Sequence, residues 1–345
     1  MRVGGLAAAF GLFLFGAGTA GADTVYTLAR VNADVFAINP ADIVDAGGGQ
    51  KKATFYFIRA THQADAYTAE FDCAGGRLIT QTQRIVRSDL SPVRDVKRAA
   101  AWEKPDPKAV GGIILKFVCD WPSPPASAES TATESTAAFL RATADSVLAG
   151  TPASGRDINP DRTTVGDCIF SQMPKDVSAN ALIAAQGARS PAEDKAFRDR
   201  VKTLGAKCAG RPESDNDMLV ITAALSIYTR FGSVARLTEK SKLTENHLAA
   251  AWNSAPPSVR APLLERAAMM NTSATVSDVQ NAPTQAIQES VKTLMETPVL
   301  AGPLAEAANL NDIQKRILVS QYFMAVAMGE QSEAALAPSR PIKAQ

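Results

Sequence analysis

An abrupt change of residue composition near residue 122 constrains the fold most. Residues 23–122 contain ten aromatic residues in 100 positions, whereas residues 123–345 contain eight in 223 and are dominated by alanine and other helix formers. Aromatic and β-branched residues favour strands, and alanine has the highest helix propensity. The sequence therefore predicts an α+β protein, in which an N-terminal antiparallel β-sheet with one terminal helix precedes an all-α helical-bundle domain.

A proline- and serine-rich stretch lies where the composition changes. Residues 121–136 read WPSPPASAESTATEST, with three prolines and few apolar residues, and this composition favours an extended connector. We therefore place a linker at residues 123–136, between a sheet domain at residues 23–122 and an all-α domain at residues 137–336. The two domains are expected to fold independently.

Five segments of the sheet domain are rich in aromatic and β-branched residues, which predicts strands. They are residues 24–28, 34–38, 54–60, 67–73 and 77–86. Residues 106–121 leave two interpretations open. Val110, Ile114 and Phe117 recur at helical spacing, but Ile113, Leu115 and Phe117 would alternate on a strand.

Helical patterns fill the all-α domain, and short connections with proline or glycine predict an antiparallel bundle. The predicted helices are residues 136–148, 178–186, 190–208, 217–231, 244–252, 258–270, 284–295 and 312–328. Prolines interrupt the chain after residue 336, so residues 337–345 are predicted to be a disordered tail.

The N-terminus has the pattern of a secretory signal peptide. Arg2 precedes an apolar run, and Ala20-Gly21-Ala22 fits a cleavage site. We expect cleavage after Ala22 and a periplasmic or secreted product with no stable membrane insertion. An uncleaved anchor is the alternative, because roughly 17 residues can span a bilayer.

All four cysteines, Cys73, Cys119, Cys168 and Cys208, lie beyond this segment. An even number in an oxidising compartment indicates disulfides. Three pairings are possible, and sequence proximity together with the domain division favours Cys73 with Cys119 and Cys168 with Cys208. A metal or redox site is the alternative, but the chain has no Cys-x-x-Cys, and neither histidine is close to a cysteine in sequence.

The charge balance argues against nucleic acid as a partner. Lys and Arg number 36 and Asp and Glu 35, and Arg2 is the only charged residue before Asp23, so residues 23–345 have a net charge of 0. Binding to nucleic acid needs a basic surplus. One local surplus is a candidate surface for an acidic protein or a polyanionic glycan, with a solvated strand and loop as the alternative. Its residues are Arg84, Arg87, Arg94, Lys97 and Arg98.

Few residues are suited to catalysis. The two histidines, His62 and His247, lack a candidate nucleophile and an orienting acid at informative spacing, so each is expected to be exposed or satisfied structurally. Asp215 and Asp217 flank Asn216 as calcium ligands would, but a helix N-cap is the favoured interpretation. The sequence predicts no catalytic residue, no cofactor and no metal site.

Several segments of the sheet domain resemble the surface-adhesin protein E family of small bacterial envelope domains. They are VFAINPADI (35–43), YTAEFDCAGGRLI (67–79), Trp102 and FVC (117–119). The resemblance implies an antiparallel sheet with a terminal helix across it, a Cys73 to Cys119 disulfide, and a helix within residues 106–121. The resemblance also implies a role in adhesion to host matrix proteins, as in surface-anchored members of that family. This chain lacks the lipidated cysteine of those members and adds a long helical part.

These observations predict a secreted or periplasmic, non-enzymatic envelope protein. Its sheet domain would be a binding or adhesin-like module for a protein or glycan partner, and the role of its helical domain is unassigned. The alternative is an extracytoplasmic enzyme or enzyme accessory with a site in a cleft of the helical domain.

Overall fold

The structure is a computed structural model that describes eight parts of the chain. They are residues 23–31, 34–96, 100–150, 164–172, 191–209, 218–239, 242–271 and 284–336. Several sequence predictions therefore lie outside the described residues. They are the signal peptide at residues 1–22, the helix at residues 178–186, the Asp215 and Asp217 pair, and the tail at residues 337–345.

Eight strands form one antiparallel sheet. They are β1 (Asp23–Val31), β2 (Asp34–Ile38), β3 (Val44–Gly47), β4 (Gln50–Ile58), β5 (Gln63–Asp72), β6 (Arg77–Arg87), β7 (Pro92–Val96) and β8 (Glu129–Thr133). Their order is β7-β6-β5-β4-β2-β1-β8, and β3 pairs with β4 outside that row. Gly47, Gly48 and Gly49 all have positive φ, which glycine adopts without steric penalty, so the chain turns tightly from β3 into β4.

Helix α1 (Val110–Asp120) covers one face of the sheet. Ile114 and Phe117 are buried against Phe71 of β5, which shares one face of the strand with Ala69 because alternate residues point the same way. The ambiguous segment is thus a helix. At its C-terminal end the Lys51 ammonium donates hydrogen bonds to the carbonyl oxygens of Val118, Cys119 and Trp121, at 3.0, 3.2 and 2.9 Å.

Helix α2 (Thr136–Gly150) covers the opposite face, and the strand before it belongs to the sheet. Leu140 and Ala144 are buried against Val25, Val35 and Ile58. Strand β8 pairs with β1 from Asp23 with Thr133 to Thr27 with Glu129. Residues 129–133 are therefore an edge strand rather than a free connector. Their threonine-rich sequence with exposed side chains suits the edge of a sheet as well as a connector.

Eight more helices follow in the described residues. They are α3 (Val165–Gln172), α4 (Pro191–Ala209), α5 (Met218–Thr238), α6 (Glu245–Ser254), α7 (Pro257–Asn271), α8 (Thr284–Met295), α9 (Pro298–Glu306) and α10 (Asp312–Leu336). Helices α5, α6, α7, α8, α9 and α10 share one apolar core. A smaller core is shared by α3, α4, α5 and the end of α10. The predicted α+β class, a sheet followed by helices, is confirmed.

Both predicted disulfides are present. Cys73 and Cys119 connect the end of β5 to α1, and Cys168 and Cys208 connect α3 to α4. Each bridge therefore fastens a helix to a neighbouring element of the same half of the chain. Among the described helices, none combines the length and apolar character needed to cross a membrane.

Candidate functional site

A cleft of about 320 Å³ lies where the sheet meets the helices, and we call it the interface cleft. His62, in the turn between β4 and β5, lines it together with Arg141 and Asp145 of α2. Helices α6 to α9 supply the rest, which is mainly apolar. The apolar lining residues are Ala255, Pro256, Val259, Leu294, Pro298 and Val299.

The lining also includes three hydroxyl side chains, but each donates its proton within its own helical region. Thr297 donates to the Leu294 carbonyl at 2.8 Å and Thr293 to the Glu289 carbonyl at 3.0 Å. Ser254 donates more weakly, at 3.4 Å, to the carbonyl of the residue three positions before it. His62, Arg141 and Asp145 are therefore the side chains whose charge or ring nitrogens give this cleft its polar character.

His62 is held firmly at one wall of the interface cleft. It is 1% exposed, and its φ of 56° lies in the left-handed region. Its backbone N–H donates to the Arg59 carbonyl at 3.2 Å, and its carbonyl accepts from the Ser88 N–H at 3.0 Å. Burial lowers the pKa of His62, although the Asp145 carboxylate, 3.0 Å from Nε2, opposes this shift. Burial therefore favours the neutral form of the ring.

Arg141 and Asp145 are one helical turn apart on α2, a spacing at which opposite charges can pair. Asp145 instead contacts His62, and its side chain remains 57% exposed. Arg141 is exposed and forms no ion pair with any residue that the structure describes. The cleft thus presents a cation and a carboxylate that do not neutralise each other directly.

A buried polar network beside the cleft joins the sheet to the helices. Arg87 at the end of β6 donates to both carboxylate oxygens of Glu330 in α10, at 2.9 and 2.7 Å. The Trp252 indole donates to the same carboxylate at 2.7 Å. The Asn253 amide donates to the Thr61 carbonyl at 2.7 Å. These contacts connect residues up to 243 positions apart and join the sheet to the helices.

The predicted basic surface does not form as a set of exposed charges. Arg87 is 5% exposed and bound to Glu330, so its inclusion in that surface is wrong. Arg84 is exposed and pairs with Asp95 at 2.6 Å. The two arginines are three positions apart on one strand, so their side chains point to opposite faces. Arg94 lies on β7 opposite Ile85, and Lys97 and Arg98 lie outside the described residues.

His247 has a structural role, as the sequence predicts. Its Nδ1 atom accepts from the Thr244 backbone N–H at 3.1 Å and lies 2.7 Å from the Thr244 hydroxyl, which completes a capping box at the start of α6. Burial lowers the pKa of His247. A neutral ring is what this acceptor role requires.

Sequence reasoning missed Arg141 and Asp145. Their spacing of four residues on a predicted helix was the available signal. The contact of Asp145 with His62 connects positions 83 residues apart, which periodicity does not report. Asp65, three positions after His62 in the sequence, pairs with Arg59 and not with the histidine.

Ser88, His62 and Asp145 stand in a row that superficially resembles a hydrolase triad. The Ser88 hydroxyl is 3.4 Å from Nδ1 of His62, longer than a nucleophile and base normally are. Ser88 is 2% exposed and does not line the cleft. A substrate in the cleft would therefore not reach this hydroxyl, and the row serves to hold His62. No group of three or more potential metal ligands converges among the described residues.

The fold and this site define an α+β protein with two disulfides and a small amphipathic cleft at the junction of sheet and helices. In comparisons with known proteins, no family model, no curated protein and no solved structure matches this chain. The resemblance of residues 23–122 to the surface-adhesin protein E family stays a prediction.

Proposed function

We propose that this chain is an extracytoplasmic, non-enzymatic binding protein, periplasmic or secreted, whose site for a small molecule is the interface cleft. The position and lining of the cleft carry this proposal. Ligand sites favour the junctions between structural units and combine an apolar lining with a few placed polar groups. The two disulfides support the compartment, because such bonds persist in oxidising surroundings.

Binding fits the geometry better than catalysis. His62 is enclosed, and its two ring nitrogens face Asp145 and Ser88. A general base must reach the proton that it removes, whereas this ring orients a carboxylate. The alternative of an extracytoplasmic enzyme therefore has less support than a binding protein.

The sheet supports a second binding role only through the resemblance. A protein or glycan partner for the sheet domain follows from the likeness to surface-adhesin protein E, and nucleic acid is not expected at a net charge of 0. Because Arg87 is buried, such a partner would have to use other residues of the sheet domain.

A thermal-shift screen of residues 23–345 tests the proposed cleft. The probes are four classes of small molecule: amino acids, dipeptides, monosaccharides and short carboxylic acids. We expect at least one class to raise the melting temperature, because a ligand that binds the folded state stabilises it. Val259→Trp, which fills the cleft, should remove the shift. Absence of any shift, or a shift that persists in Val259→Trp, would contradict the proposal.

A further inference from the structure

We infer that the interface cleft binds a zwitterionic ligand, namely a free amino acid with an apolar side chain. The inference rests on the proposed function and names the ligand class of the same site. It follows from two opposite charges that the cleft holds without pairing them, and from the apolar surface that surrounds them.

The charged side chains of the lining carry both signs. Arg141 and Asp145 are the charged side chains of the described lining, and together they sum to zero. A simple anion would be attracted by Arg141 and repelled by Asp145. A simple cation would be attracted by Asp145 and repelled by Arg141. A ligand that carries both charges gains from each residue. Its carboxylate can take two hydrogen bonds from the planar guanidinium, and its ammonium can donate to the carboxylate.

Asp145 contacts His62 and not Arg141, although both charged residues lie on α2. Neighbours at this helical spacing lie roughly 5–6 Å apart at Cβ and would otherwise be free to pair. The contact with His62, 3.0 Å from Nε2 to Oδ1, draws Asp145 away. His62 is fixed in turn by its backbone bonds to Arg59 and Ser88. The fixed ring therefore gives the carboxylate a neighbour on one side before the ligand arrives, and such preorganisation reduces the entropy lost on binding.

The rest of the lining bears on the ligand side chain. Thr293 donates within α8, Thr297 donates to the Leu294 carbonyl of the same helix, and six of the lining residues are apolar. A polar ligand side chain would therefore lose hydration with few hydrogen bonds in return. The volume of about 320 Å³ lies at the lower end for ligand pockets, so one amino acid fits this cleft better than a long peptide.

Isothermal titration of residues 23–345 with L-alanine, L-valine, L-leucine and L-phenylalanine tests this inference. We expect at least one of them to bind. Its amide, which lacks the carboxylate, and its N-acetyl derivative, which lacks the ammonium, should each bind at least about tenfold more weakly, since each loses a charge-assisted interaction. These three ligand forms are compared on the unaltered protein, so the result does not depend on the folding of a variant.

Two variants locate the binding. Arg141→Gln and Asp145→Asn should each weaken the same amino acid at least about tenfold. Arg316→Gln is the matched control, because Arg316 is an exposed arginine of α10 outside the cleft lining. Circular dichroism establishes that each variant is folded.

The outcomes separate this inference from the proposed function. Equal binding of the amide and N-acetyl derivatives, or binding in the cleft by sugars or carboxylic acids alone, would overturn the zwitterionic ligand and leave the binding cleft standing. Absence of cleft binding by every class would overturn both.

Discussion

His62 shows how one residue combines strain, burial and charge at this junction. A non-glycine residue in the left-handed region costs on the order of 1–3 kcal/mol, and two backbone hydrogen bonds hold it there. The sequence left open whether His62 is exposed or structurally satisfied, and it did not give the partners, because Ser88 and Asp145 approach His62 only through the fold.

Acidification is expected to destabilise the protein through its two histidines. Burial lowers the pKa of both His62 and His247, so the unfolded chain takes up protons first as the pH falls below about 6.5. Their contribution to stability is therefore complete above that pH and declines below it. Urea unfolding at pH 7.5 and 5.5 measures this loss.

The variant His62→Asn should lose less stability between these two pH values than the unaltered chain. Asparagine suits the comparison because it tolerates positive φ and does not titrate. His247→Asn gives the second measurement. The role of the two histidines would be refuted if the unaltered chain were as stable at pH 5.5 as at pH 7.5. It would also be refuted if the variants lost as much stability between these pH values as the unaltered chain.

Replacing Arg87 should lower the stability of the protein much more than replacing Arg84, although the two residues are close in sequence. Arg87→Met leaves the partly buried Glu330 carboxylate without its cation, and because breaking a fully buried pair costs about 3–5 kcal/mol, we expect a loss of up to that size. Arg84→Met removes an exposed pair with Asp95 and should cost less than about 1 kcal/mol. Urea unfolding of both variants measures the difference, and similar losses would show that Arg87 is not buried as described.

Strand alternation would have separated these two arginines from the sequence alone. Both lie in or next to the predicted strand at residues 77–86, and a separation of three positions puts them on opposite faces. The partner of Arg87 was not predictable, because Glu330 is 243 residues away.

Among the helices and strands, sequence patterns predict an element correctly where a single structural preference dominates its residues. Helix α8 has the predicted bounds, Thr284–Met295. Helix α9 was missed because Pro298, Gly302 and Pro303 read as helix breakers, yet proline at the first helical position is favoured. Strand β8 was missed because a polar, threonine-rich segment also fits a connector, and only its pairing with β1 shows the difference.

The C-terminal end of α1 should depend on Lys51. Its ammonium satisfies three carbonyl oxygens at the negative end of the helix dipole. Lys51→Met should therefore lower the free energy of unfolding by about 1–3 kcal/mol. Lys52→Met is the matched control, because the side chain of Lys52 is exposed on the same strand. Chemical denaturation compares the two variants, and an equal effect would contradict the capping role.

At the scale of the whole molecule, the composition boundary at residue 122 does not coincide with a boundary of packing. Strand β8 and helix α2 follow that boundary in sequence but cover the sheet. Arg87 with Glu330 and Asn253 with Thr61 then connect the sheet to the later helices. Composition reflects the local preference of residues for strand or helix. It could therefore divide the chain into a sheet part and a helical part, but it could not show that the sheet and the helices pack together.

A fragment that ends at residue 122 should therefore be less stable than one that ends at residue 150. The shorter fragment leaves Val25, Val35 and Ile58 without the α2 side chains that cover them, and apolar burial contributes about 25 cal/mol per Å². Thermal melts followed by circular dichroism compare residues 23–122 with residues 23–150. A shorter fragment with an equally cooperative melt would favour the independent domain that composition predicts.

Scanning calorimetry of residues 23–345 tests most directly whether sheet and helices form one body around the interface cleft. Buried contacts across the junction should couple the two halves, so we expect one transition in which the calorimetric and van't Hoff enthalpies agree. Arg87→Met should lower the temperature of that single transition. Two separate transitions, with only one of them moved by Arg87→Met, would contradict this picture and return the chain to two independent domains.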